Sequence, residues 1–152
     1  MNNDICMEIK EPNFFGKLSE TELIDFEQVN NIKLPVEYKQ FLLNFNGGVP
    51  EPNRNLKPDT FVTYILGMHN GPFHTSLYKH IDMLKERLPL STFPIGTDPF
   101  GNLFIMTLHP ESYGQIYFWD HEEEPKIQDG HFTQNCYFVA NSFSEFVNNL
   151  VR

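Results

Sequence analysis

Apolar residues recur at helical spacing in four places along the chain. Leu23, Phe26 and Val29 lie three apart and mark one face of a helix over about 20–30. Ser19-Glu20-Thr21-Glu22 ahead of it is a capping box: the Ser19 hydroxyl accepts from the Glu22 N–H and the Glu22 carboxylate reaches back. Leu18 and Leu23 occupy the two hydrophobic-staple positions around the box. Tyr38, Phe41, Leu42 and Phe45 stand at i, i+3, i+4 and i+7 and predict a second helix, with Pro35 at its first helical position, where a missing N–H costs nothing. Asn46-Gly47-Gly48 stops it, because glycine accepts the left-handed conformation of a helix end. Leu77, Ile81, Leu84 and Leu88 predict a third helix over about 75–88, ended by Pro89. Ser142-Phe143-Ser144-Glu145 reads as a second capping box, followed by the stripe Phe143, Phe146, Val147 and Leu150.

Between these stripes the period changes. Phe61 to Leu66 is rich in strand formers, and from Phe93 onward strands dominate. Asp98-Pro99-Phe100-Gly101 suits a type I turn, with Asp, Pro and Gly at its first, second and fourth positions. Leu103 to Leu108 leaves that turn as a continuous apolar run, which predicts a strand in the middle of a sheet. Residues 109–114 form the next turn, 115–120 the next strand, 121–131 a charged loop and 137–140 a last short strand. Residues 46–60, with Pro50, Pro52 and Pro58, read as a long loop. Residues 1–17 show no clear period, and Phe14-Phe15-Gly16 is expected to dock on the core. There is no repeat, low-complexity tract or linker. The predicted class is α+β, a mainly antiparallel sheet of about five or six strands packed by about four helices, in a single domain spanning 1–152.

Composition narrows the function. A length of 152 residues fits one domain. An apolar content of 40% and an aromatic content of 14% exclude a disordered chain. Asp and Glu number 20 against 11 Lys and Arg, a net charge of −9. That argues against nucleic acid and anionic membranes, which need clustered cations, and leaves room for a basic partner. Met1 to Lys10 has no apolar block of the kind a secretory signal needs, and no run approaches the ~20 apolar residues of a membrane span. Cys6 and Cys136 read as reduced thiols of a cytoplasmic protein, a disulfide between them being the alternative.

Three blocks of sequence carry a family resemblance. The first runs from Glu27 through Leu34-Pro35-Val36-Glu37-Tyr38-Lys39-Gln40-Phe41-Leu42 to Asn46-Gly47-Gly48. The second is Ile95-Gly96-Thr97-Asp98 with Gly101-Asn102, then Gly114-Gln115-Ile116-Tyr117-Phe118-Trp119-Asp120-His121. The third is Ala140-Asn141-Ser142-Phe143-Ser144-Glu145-Phe146-Val147-Asn148-Asn149-Leu150. In this order they resemble the SUKH superfamily, the group of yeast cell-wall-synthesis regulators and many bacterial immunity proteins. Residues 1–17 stand outside the resemblance as an N-terminal extension, and 46–60 is not typical of it. The resemblance implies an antiparallel sheet packed by helices and a non-enzymatic function. It implies an immunity protein that binds and blocks a cognate polymorphic toxin, such as a nuclease or deaminase; the alternative is a regulatory or scaffold module for an endogenous protein. It supplies no site.

The charge pattern suggests one. Between His109 and Gly130 lie Glu111, Asp120, Glu122, Glu123, Glu124 and Asp129, opposed only by Lys126, so more than half of the net charge sits in this stretch. The plain reading is a loop that keeps the surface solvated. As a recognition surface it would mimic phosphates in the basic cleft of a toxin. Affinity would need aromatic anchors; Tyr113, Trp119 and Phe118 are candidates, though each also suits the core. The six histidines show no zinc-ligand spacing, and no metal or cofactor is expected. Catalytic motifs are missing too: there is no Gly-x-Ser-x-Gly, P-loop or dinucleotide fingerprint. Asp98 and Asp120 would be the paired carboxylates of an enzyme, but the turn already explains Asp98. Cys136, opening an apolar strand, reads as a buried thiol rather than a nucleophile.

Overall fold

Leu103–Thr107 is buried along its whole length, as its unbroken apolar run demands. In the computed structural model, which describes residues 8–123 and 135–152, this strand is the centre of a five-stranded sheet. In chain order the elements are β1 (Glu8–Lys10), α1 (Glu20–Asn30), α2 (Val36–Phe45), β2 (Val49–Glu51), β3 (Arg54–Leu56), β4 (Asp59–Phe61), β5 (Tyr64–Ile65), α3 (Leu77–Leu84), β6 (Thr92–Thr97), β7 (Leu103–Thr107), β8 (Ile116–Trp119), β9 (Cys136–Ala140) and α4 (Phe143–Asn148). The main sheet has the order β5-β6-β7-β8-β9, every pair antiparallel. The fold is α+β, with four helices and two further two-stranded sheets, β1-β2 and β3-β4.

Alternation along β7 explains why the run has no polar break. Phe104 and Met106 face one way, with Ile116 and Phe118 of β8, onto the main core. Helices α2 and α4 cover that face: Phe143 meets Tyr38 at 5.0 Å and Phe41 at 4.9 Å, and Phe146 meets Phe104 at 5.0 Å. Leu103 and Ile105 face the other way, with Trp119, onto Leu84 and Leu88. Both faces of β7 are therefore closed.

The helix ends follow the local chemistry. Ser19 Oγ accepts from the Glu22 N–H at 3.1 Å and Glu22 returns a carboxylate to the Ser19 N–H at 3.2 Å, a complete capping box. Leu18 and Leu23 are both buried beneath it. Glu27 accepts from the Leu34 N–H at 2.8 Å and so fixes the link from α1 to α2. At α4 the Ser142 hydroxyl caps Glu145, but Glu145 reaches the Asn141 N–H, one residue earlier than a capping box requires.

Several expectations need correction. Val29 is 84% exposed, because only Leu23 and part of Phe26 meet the core from α1. Pro35 is the N-cap of α2, one place before its first helical residue. Residues 46–60 are not one long loop: β2 and β3 lie there and β4 begins there. In the predicted strand 61–66 only Tyr64–Ile65 joins the main sheet, since Phe61 ends β4. Helix α3 stops at Leu84; Leu88 is still buried, from the turn beyond. Of the N-terminal phenylalanines, Phe15 rests on His69 at 4.6 Å while Phe14 is exposed.

Candidate functional site

The turn between β6 and β7 is built around one carboxylate. Asp98 Oδ1 accepts from the N–H groups of Phe100 at 2.9 Å and Asn102 at 2.8 Å. Its Oδ2 accepts from Asn102 Nδ2 at 3.1 Å and from the Thr60 hydroxyl at 2.9 Å. Gly101 takes a φ of +85°, the left-handed conformation that closes the turn. Asn102 then passes the network on, its Oδ1 accepting from the His121 N–H at 3.1 Å. The His121 Nε2 lies 2.8 Å from the Phe100 carbonyl, which makes that nitrogen the donor. A side chain at Gly101 would stand 3.1 Å from the same nitrogen. The second resemblance block is thus one hydrogen-bonded clasp holding the β6–β7 turn to the end of β8. Asp98 is occupied four times over, and Asp120 spends its Oδ1 on the Glu122 N–H at 2.9 Å. This is carboxylate work of a structural kind.

Beside the clasp opens a pocket of about 520 Å3. Phe73, His80, Met83, Arg87, Trp119 and His121 are among its walls. Trp119 is only 2% exposed; it packs on Leu84, Leu88, Leu103 and Ile105, with the Arg87 guanidinium 5.4 Å above its ring.

Strand β8 divides the acidic stretch. Asp120, Glu122 and Glu123 follow its last residue and lie at the pocket end, around His121. Glu123 accepts from the Tyr137 hydroxyl at 2.8 Å, and this bond raises the Tyr137 phenol above its ordinary range. Glu111 and Tyr113 belong to the turn before β8, at its opposite end. Gln115 to Asp120 is five steps of about 3.3 Å, so the strand sets the groups roughly 15 Å apart. There Tyr113 is 45% exposed, but its hydroxyl donates to the Lys33 carbonyl at 2.6 Å. Glu124 and Asp129 lie outside the described residues, as do Lys126, His131 and Cys6. Of the proposed anchors, Trp119 and Phe118 are packed in the two cores, and only Tyr113 is substantially exposed.

Sequence reasoning missed three groups here. Tyr137 and Phe138 are exposed on β9, the last strand of the main sheet among the described residues. Consecutive aromatics in a short strand were the available signal; alternation would bury one of two neighbours, yet Tyr137, paired with Phe118, and Phe138, paired with Tyr117, are both exposed. His80 is the third, hidden because it lies within an apolar helical stripe. Among the described residues no group of three or more His, Cys, Asp or Glu could hold a metal ion, and no helix is long and apolar enough to cross a membrane.

No curated protein matches the chain. The model of the SMI1 / KNR4 family (SUKH-1) matches residues 17–149, well over half of the sequence, and takes in the blocks that build the α1–α2 pair, the clasp and α4, up to the residue before Leu150. This chain belongs to the SMI1 / KNR4 family, SUKH-1.

Proposed function

We propose that this protein is an immunity protein that neutralises a cognate polymorphic toxin, a nuclease or deaminase, by stoichiometric binding. The acidic end of β8 enters the basic cleft with which such a toxin holds nucleic acid. The observation that supports this reading is the grouping of Asp120, Glu122 and Glu123 at one end of the sheet in a SUKH-1 fold, with Glu124 and Asp129 following in the sequence. Carboxylates placed there raise the local concentration of a cationic partner and speed its docking. Glu111 and Tyr113, at the far end of β8, contribute at most a second, separate contact.

The test begins with co-expression of this chain and the product of any toxin gene beside its own. Rescue of growth and a co-purified one-to-one complex are expected. Replacing Glu122, Glu123 and Glu124 together by lysine is expected to slow association at low salt by tenfold or more, roughly the low end of electrostatic steering. Unchanged association would remove the acidic-surface mechanism, and failure to rescue would remove the immunity role.

A further inference from the structure

The pocket beside the clasp is lined by a largely buried histidine, one of whose ring nitrogens has no hydrogen-bond donor among the described residues. His80 is only 3% exposed, and its ring stacks on Phe73 with centroids 4.2 Å apart and planes 16° from parallel. Its Nδ1 lies 2.9 Å from the Ser76 carbonyl, which can only accept. The ring hydrogen therefore sits on Nδ1, and Nε2 is left as an acceptor. No described residue donates to that Nε2, and His80 is one of the pocket's walls. Burial lowers the pKa of the ring and so keeps the lone pair available. The remaining walls are mostly apolar or already engaged: Met83 and Leu84 of α3, Leu103, Trp119 beneath Arg87, and Asp98 with its four hydrogen bonds.

We propose that this pocket is a socket for an aromatic side chain of the protein partner, a tryptophan or tyrosine whose N–H or O–H donates to His80 Nε2 while its ring lies among Phe73, Met83 and Trp119. A volume of about 520 Å3 holds such a ring with room for its neighbours. Tryptophan and tyrosine dominate binding energy when they fill pockets of this kind, and their polar ends need a partner once buried. The socket is continuous through His121 with Asp120, Glu122 and Glu123, so the carboxylates steer and the socket holds. The inference rests on the protein-binding role proposed above and names the anchor for it.

Indole is the probe. Titrated into the full chain and followed by NMR, it is expected to bind saturably and to shift the His80 ring nitrogens and the Met83 methyl together. The same ring without a donor, 1-methylindole, is expected to bind about three- to tenfold more weakly, the loss of one hydrogen bond. Equal affinity for the two compounds, no binding of indole, or binding that leaves His80 unshifted overturns the socket. His80→Phe keeps the stack on Phe73 and removes the acceptor; where thermal unfolding shows it folded, it should bind both compounds alike. If that variant does not fold, the comparison of the two indoles on the wild-type chain decides alone. A toxin complex that forms while indole fails to bind overturns the socket and leaves the immunity reading standing. Donor-dependent indole binding without any toxin complex supports the socket and counts against that reading.

Discussion

Tyr38 is wholly buried in the main core, its ring beside Phe93 and Phe143 and its hydroxyl without a hydrogen-bond partner among the described residues. Burial alone pushes its phenol far above the ordinary range. An unpaired buried hydroxyl costs about 1–3 kcal/mol of desolvation. Tyr38→Phe keeps the ring contacts and removes that cost, so it is expected to raise stability by about 1 kcal/mol in urea unfolding. A loss of that size instead would mean that a buried water pairs with the hydroxyl. The two buried histidines make an opposite kind of prediction. His69 accepts from the Gly71 N–H on Nδ1, and burial lowers the pKa of both His69 and His80 below 6.5. The folded chain then takes up these protons less readily than the unfolded chain, so their stabilising contribution is full above pH 6.5 and is lost as pH falls through the folded values. NMR titration should give midpoints below 6.5 for both rings, with the melting temperature falling from pH 7.5 to 5.5. A midpoint at or above 6.5 would contradict the geometry. Neither role was legible in the sequence, because a Tyr or His in an apolar stripe looks the same whether its polar atom is paired or orphaned.

At the scale of elements, the cap of α1 and the close approach at Gly67 differ in how they respond to change. Ser19→Ala removes one half of the capping box and should cost about 1 kcal/mol. Gly67 is less forgiving. A Cβ there would stand 2.1 Å from the Asn46 carbonyl oxygen, which is backbone and cannot rotate away. The contact is tight because Asn46, at the left-handed end of α2, binds the Met68 N–H at 2.8 Å and the Gly16 carbonyl at 2.9 Å. Gly67→Ala is therefore expected to cost about 3 kcal/mol, at the upper end of overpacking, or to prevent folding. A chemical unfolding series ranking it below Ser19→Ala would refute that. The sequence announced the stop at Asn46-Gly47-Gly48, since a helix end is local. It did not announce the bonds of Asn46, whose partners lie 22 and 30 residues away. The short strands β1 to β4 were hidden for a related reason. Three residues are too few to display a period, and β2 contains Pro50 opposite Ile9, a pairing only the folded chain reveals.

At the scale of the molecule, the acidic stretch shows how a chain-order feature becomes two places. Read along the sequence, Glu111 and Glu122 are members of one cluster. The sheet puts β8 and its flanking residues, Gln115 to Asp120, between them, roughly 15 Å along the strand. That distance exceeds the Debye length of about 8 Å at 0.15 M salt and is shorter than the ~30 Å at 0.01 M. If the partner docks at the pocket end, the two carboxylates must act differently as salt is raised. Glu122→Lys, beside the docking site, should slow association at both salt concentrations. Glu111→Lys should slow it at 0.01 M and leave it nearly unchanged at 0.15 M, where the intervening ions screen its field. Stopped-flow association rates of the two variants with the toxin, at both salts, separate the cases. Equal effects at 0.15 M would mean that the partner spans β8 and that the acidic stretch acts as one surface after all. A larger effect of Glu111→Lys would move the docking site to the Tyr113 end, beside the α1–α2 link, and away from the pocket.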